Sequence, residues 1–286
     1  MSGRGCQLIV ADISKRFEAP NQQEQGIEAL DRVNLCVQAG ELVCLLGPSG
    51  CGKTTLLNTI AGFEDPTGGG VFVNGREVHG PGPDRAVAFQ EDALFPWLTA
   101  RGNVAYGLAR RGQRGPDVRA QVDRFLGLVG LDGFADYFPD QLSGGMKQRV
   151  ALARVMINSP AALLMDEPFV ALDAQTRTAM QTLLLEVWSE LGQTILFITH
   201  DVDEALLLAD RVYVMTSRPG TVLDEVRVSL PRPRALETIT SEHFLKKKRL
   251  VLRLLQRAID GERPWIRKKP SPVAVAAGSG LSRKGE

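Results

Sequence analysis

The sequence predicts an α/β fold: a mostly parallel core sheet with an N-terminal antiparallel β layer and an inserted helical subdomain. Three observations carry this. Apolar runs at Leu42–Leu46, 162–165 and 194–199 each end abruptly in glycine or polar residues, as strands do at the carboxyl edge of a parallel sheet, where ligands bind. Residues 8–37 alternate and carry turn signals, the pattern of an antiparallel layer. Residues 99–137 are richer in helix formers and interrupt the strand–helix succession.

The remaining elements follow in order. Lys53–Ala61 reads as a helix stopped by Gly62 in a C-cap role. Residues 146–157 read as a second, ended by Asn158-Ser159-Pro160, and 180–191 as a third, closed by Gly192. Residues 241–259 are amphipathic around Lys246-Lys247-Lys248-Arg249; a solvated helix face packed on the domain is the favoured reading over contact with a membrane surface. The end, 270–286, is small, polar and contains Pro and Gly, and is expected to be disordered.

Bulk properties narrow the function. A length of 286 residues suits one large domain or a domain with a subdomain. A net charge of +1 gives no global case for nucleic acid as a partner. No stretch approaches about 18 uninterrupted apolar residues, and Met1-Ser2-Gly3-Arg4-Gly5 leads into no secretory h-region. Cys6, Cys36, Cys44 and Cys51 show no CxxC pairing and no metal spacing, so reduced thiols in a cytosolic protein are expected.

Chemistry concentrates at the strand ends. Gly47-Pro48-Ser49-Gly50-Cys51-Gly52-Lys53-Thr54 fits GxxxxGK[ST] between a strand and a helix. Its glycines let backbone N–H groups wrap the β- and γ-phosphates of a nucleotide, Lys53 supplies a point charge, and the Thr54 hydroxyl is a Mg²⁺ ligand. The run 162–165 ends in Asp166 and Glu167. Asp166 is suited to the Mg²⁺ hydration shell and Glu167 to polarising a water for in-line attack on the γ-phosphate. His200 closes the run 194–199 at the same edge. Leu142-Ser143-Gly144-Gly145-Met146-Lys147-Gln148 offers a second phosphate grip, with Ser143 capping the next helix and two glycines allowing close backbone approach. Cys51, at a helix N-terminus, is expected to have a lowered thiol pKa and to be alkylated unless ATP protects it; a small residue that merely fits the loop is the equal alternative.

In their order, Gly47–Thr55, Gln90, Leu142–Gln148, Leu163–Glu167, Ala171-Leu172-Asp173 and His200 resemble the motifs of ATP-binding cassette (ABC) proteins, which are P-loop NTPases. The chain is similar to the ATPase subunit of an ABC transporter over residues 7–235, with a helical subdomain at about 99–160 and a C-terminal helical extension at 236–269. The resemblance implies ATP and Mg²⁺ as cofactors and a homodimer sandwiching two ATP molecules, each between one copy's phosphate loop and the other copy's Ser143, Gly144, Gly145 and Gln148. It implies Glu167 as general base and His200 as γ-phosphate sensor. Gln90 would couple ATP to the membrane subunits and stand beside Thr54 and Asp166 at the metal. Asp173 would communicate across the dimer, Thr55 would join the nucleotide contacts, and Phe17 would stack on adenine unless it is simply core.

Finer similarity points to the taurine, aliphatic sulfonate and nitrate importer ATPases. It rests on Gly80-Pro81-Gly82-Pro83-Asp84-Arg85, Phe95-Pro96-Trp97, Trp188 and Arg218-Pro219-Gly220. The runs 56–63 and 180–185 look closest to the taurine members. The implied setting is the cytoplasmic face of a bacterial inner membrane, with permease subunits as partners and a periplasmic binding protein acting indirectly. Leu94, Phe95 and Trp97 are read as exposed, either as local packing or as a docking groove for a permease helix. The alternatives are a nitrate or other small-anion importer of the same family and a soluble ABC ATPase not coupled to transport.

Overall fold

Two sheets organise the chain in the computed structural model, which describes residues 6–18, 26–89, 93–234 and 236–262. The first is antiparallel. It contains β1 (Cys6–Phe17), β2 (Ile27–Gln38), β4 (Gly68–Val73) and the short β5 (Arg76–Glu77), in the order β2-β1-β4-β5. The second contains β3 (Leu42–Leu46), β6 (Arg85–Ala88), β7 (Ala162–Asp166), β8 (Ile195–Thr199), β9 (Arg211–Met215) and β10 (Val222–Arg227), in the order β10-β9-β3-β8-β7-β6. All of its pairings are parallel except β10 with β9.

Every residue of β3 and of β8 is buried, because both faces of this sheet are covered; that is why these strands read as unbroken apolar runs rather than alternating ones. On one face Val43, Leu45, Leu164, Leu196 and Ile198 pack with the antiparallel sheet and with Leu56, Leu57 and Ile60 of α1 (Lys53–Ala61). On the other, Leu42, Cys44, Leu46, Leu163, Met165 and Phe197 pack under helices. These are α2 (Ala100–Arg110), α3 (Pro116–Leu128) and α4 (Gly144–Met156) of the insertion, then α5 (Ala174–Leu191), α6 (Val202–Leu208) and α7 (Glu242–Ile259).

The starts of α2, α4, α5, α6 and α7 fall where side chains satisfy the first free N–H groups. Helix α5 begins at Ala174, well before the expected residue 180, because Asp173 accepts from the N–H groups of Gln175 and Thr176, both at 3.0 Å. Apolar periodicity alone missed this polar first turn. Helix α4 starts directly after its cap, Ser143, and α6 after Asp201.

Helix α7 buries Phe244, Val251, Leu254 and Ala258 on the domain, where it meets α6, β9 and β10. Its basic run is largely tied down: Lys248 donates to Asp203 and Lys247 to the Arg227 carbonyl, each at 2.8 Å, and Lys246 pairs with Glu242 at 2.7 Å. Among the described residues no helix is long and apolar enough to cross a membrane. One expectation fails: Cys36 is disulfide-bonded, while Cys44 and Cys51 are free.

Phe244 is fully buried. Phe244→Ala is therefore expected to cost about 3–5 kcal/mol, the range for aromatic truncation in a core. Denaturant unfolding measures it, and a loss below about 1 kcal/mol would mean that α7 is not part of the packed domain.

Candidate nucleotide site

Strand register assembles the site. Leu46 at the end of β3 lies opposite Thr199 at the end of β8, and Asp166 at the end of β7 lies opposite Ile198. The Glu167 N–H continues the ladder to the Ile198 carbonyl at 3.0 Å. The loop 47–54, the pair Asp166–Glu167 and His200 therefore leave one sheet edge side by side.

In the loop, Ser49, Gly50 and Thr54 are exposed, while Gly47 and Cys51 are buried. Lys53 is only 7% exposed and donates Nζ to the Gly47 and Pro48 carbonyls at 2.9 and 3.2 Å, a cation held by the loop it serves. Gly50 and Gly52 have φ of 74° and 100°, the left-handed region. A Cβ at Gly52 would also come within 2.9 Å of the Ala29 carbonyl oxygen, so β2 backs the turn closely. Thr55 is half-buried on α1, where its carbonyl takes the Thr59 hydroxyl at 2.9 Å. Arg218 donates from Nε and Nη2 to the Gly50 carbonyl at 3.3 and 3.2 Å, anchoring the tip of the loop. No local signal reveals that contact, since the two residues are 168 apart in sequence.

The Thr54 hydroxyl hydrogen-bonds Asp166. A hydroxyl and a carboxylate in contact beside the loop form an oxygen donor set that fits Mg²⁺, a hard cation that takes oxygen ligands. Burial pushes the Asp166 carboxyl above its ordinary range; the Thr54 hydrogen bond opposes that shift, Glu167 adds to it, and Lys53 opposes it. Glu167 adopts φ 45°, a left-handed backbone rare for a glutamate and costing about 1–3 kcal/mol. Its N–H to Ile198 and the Val170 N–H to its own carbonyl hold it there. Glu167 Oε2 lies 3.0 Å from His200 Nδ1, so the two side chains meet in front of the sheet edge.

The segment 143–148, expected as a second phosphate grip, has different neighbours. Ser143 Oγ accepts from the Met146 N–H at 3.3 Å, and Gly145 lies against Thr176. Gln148 donates Nε2 to the Pro168 carbonyl at 2.7 Å, which engages its amide within the chain and ties α4 to the turn after Glu167. Asp173 is exposed, and the Thr176 hydroxyl, donating at 2.6 Å, holds its carboxyl below the usual range. Thus residues 143–148 rest on 168–176, whereas the phosphate loop rests on Leu30, Met215 and Arg218. Phe17 stands 38% exposed at the end of β1 with Lys15 Nζ 5.0 Å from its ring centre. Gln90 lies outside the described residues. Of the aromatic segment, Trp97 is 70% exposed, but Leu94 packs on the core and Phe95 is half-buried against Tyr106, so the expected three-residue exposure narrows to one.

Cys51 corrects another expectation. It is 1% exposed, and burial pushes its thiol up, outweighing the lowering effects of Lys53 and backbone N–H groups.

The sequence matches the ABC transporter family over residues 30–170. An uncharacterized ABC transporter ATP-binding protein of Methanocaldococcus jannaschii is 47% identical over 249 residues, 87% of this chain and 91% of that protein. The chain belongs to the ABC transporter ATP-binding proteins. Like them it binds ATP and is an ATPase. A taurine import ATP-binding protein of Jannaschia sp. is 51% identical over 221 residues, 77% of this chain and 82% of that protein. An ATP-binding cassette solved as a dimer in a post-hydrolysis state with ADP and Pi superimposes with a TM-score of 0.65 at 32% identity, covering 78% of this chain and all of that one.

In this ABC ATPase a raised thiol pKa leaves less thiolate at any pH below it than an exposed cysteine carries. Native Cys51 is expected to react with iodoacetamide at pH 8 at least about 10-fold more slowly than the unfolded chain, by mass spectrometry with and without denaturant. Equal rates would contradict its burial.

Proposed function

We propose that this chain is the ATP-hydrolysing subunit of an importer that takes up taurine or a related sulfonate through separate membrane permease subunits, at the cytoplasmic face of a bacterial inner membrane. The observation that carries the reading is the Glu167–His200 contact beside the phosphate loop, in a chain 51% identical to a taurine import ATP-binding protein. A periplasmic binding protein would hand the solute to the permease.

Two copies act together in this reading. The loop N–H groups and Lys53 of one copy hold the phosphates of ATP, while Ser143, Gly144 and Gly145 of the other close over the γ-phosphate from the opposite side. Thr54 and Asp166 would hold Mg²⁺, which would neutralise negative charge on the phosphates. Glu167 Oε2 accepts a proton from water as that water attacks the γ-phosphorus, and the bond to the β-phosphate oxygen breaks to give ADP and phosphate. His200 holds Glu167 through Nδ1 and reaches the γ-phosphate through Nε2. Asp173, exposed at the start of α5, faces the partner copy. The separate footings of the two grips support this division of labour. Exposed Trp97, with Phe63 and Phe89 stacked at 6.3 Å between ring centres, is the apolar surface offered to a permease helix.

Glu167→Gln is expected to bind ATP normally and lose about 10²–10⁴-fold in turnover, the range for removing a general base. The same substitution should abolish uptake of labelled taurine by cells that carry the chain with its permease and binding protein. Wild-type turnover in the variant would contradict the base assignment. Unchanged taurine uptake on loss of the chain, with another anion no longer imported, would contradict the solute.

A further inference from the structure

We propose that Glu204 is a positioning residue for ATP hydrolysis: a buried carboxylate that ties the strand end carrying His200 to the helix that starts at Asp173. The proposal rests on the reading of Glu167 and His200 given above.

Glu204 lies in the first turn of α6 and is 6% exposed. Acidic side chains are seldom buried this far without a paired cation, and among the described residues Glu204 forms no ion pair. Its hydrogen-bond partners are neutral. Gln181 donates Nε2 to Glu204 Oε1 at 2.9 Å, and the Thr199 hydroxyl donates to the same carboxylate. Burial drives the carboxyl upward, and the Thr199 and Gln181 hydrogen bonds oppose this. The carboxylate takes up two buried donors, the Gln181 amide and the Thr199 hydroxyl, which would otherwise lack an acceptor, and so links α5 to the end of β8.

The partners of Glu204 surround His200. Thr199, just before it, accepts the Asp201 N–H at 3.0 Å while donating to Glu204. Asp201, just after it, caps α6 by accepting the N–H groups of Asp203 and Glu204 at 2.8 and 3.2 Å. Both neighbours of His200 are thus fixed to one helical turn. Gln181 extends the connection to α5. One turn earlier on α5, Arg177 donates to the Phe169 and Leu172 carbonyls at 3.3 and 2.8 Å, gripping the segment between Glu167 and Asp173, and its charge also favours the ionised Glu204. A closed circuit results. In front of the sheet edge Glu167 touches His200; behind it the same two residues are joined through 169–172, Arg177, α5, Gln181, Glu204 and Thr199. Movement of the Asp173 end of α5 reaches His200 through Glu204.

The test is a double-mutant cycle on the full chain, reading kcat, KM and ATP affinity. Glu204→Ala is expected to lower kcat between about 10-fold and about 100-fold, the scale of a displaced catalytic group, while KM for ATP stays within about 2-fold. Glu204→Gln, which keeps an acceptor oxygen, is expected to recover most of kcat. In a His200→Ala background, Glu204→Ala is expected to cost nothing further, because groups that act as a unit are not additive. Thr199→Val cuts the same link from the other side and takes the place of Glu204→Ala in the cycle if that variant does not fold. Wild-type kcat in Glu204→Ala, or losses that add to those of His200→Ala, would overturn the proposal while leaving the site reading intact. Wild-type kcat in His200→Ala would overturn the site reading itself.

Discussion

The parallel pairing of β3, β8 and β7 is the constraint on which the rest depends. Because Leu46 lies opposite Thr199 and Asp166 opposite Ile198, three separate stretches of chain leave one sheet edge within hydrogen-bonding range of each other. A register slip of one residue in any strand would turn its inward side chains to the other face and carry Thr54, Asp166 or His200 out of reach. The two hydrophobic cores hold that register, since odd and even residues of the same strands are claimed by opposite faces.

What projects from this edge is held under tension at Glu167 and supported from behind elsewhere. The left-handed backbone of Glu167 persists because its N–H completes the ladder to Ile198 and the following turn hydrogen-bonds its carbonyl. Arg218 and β2 brace the phosphate loop in the same way from the opposite side. Helix α5 does double duty: its capped start exposes Asp173, and its interior reaches Glu204 and so the neighbours of His200. The Glu167–His200 pair and the exposed start of α5 are thereby joined by hydrogen bonds rather than by proximity alone.

Much of this was legible in the residues. Strands buried on both faces announce themselves as apolar runs, so β3, β7 and β8 were readable, and the glycine spacing of 47–54 follows from the left-handed turns at Gly50 and Gly52. Contacts between distant residues were not. The Arg218 anchor and the Glu204–Gln181 bond join segments that no periodicity relates. Of the two readings of Cys51 the lowered thiol pKa fails, because a place at a helix N-terminus shows in the sequence and burial does not; a small residue that fits the loop agrees with its burial. Helix α5 starts earlier than the apolar pattern shows because a polar first turn stabilised by a cap carries no apolar signal.

We propose that each ATP is hydrolysed between the Glu167 of one copy and the Ser143 of another. Mixing two inactive variants exposes this arrangement. In Ser143→Arg the second phosphate grip is blocked but the base is intact; in Glu167→Gln the reverse holds. A mixed dimer then contains one site with an intact base from the first variant and an intact Ser143 from the second. Steady-state ATP turnover of the mixture is predicted to rise well above that of either variant alone. No recovery at any mixing ratio, with mixed dimers demonstrated, would contradict the shared site and assign both grips to the same copy.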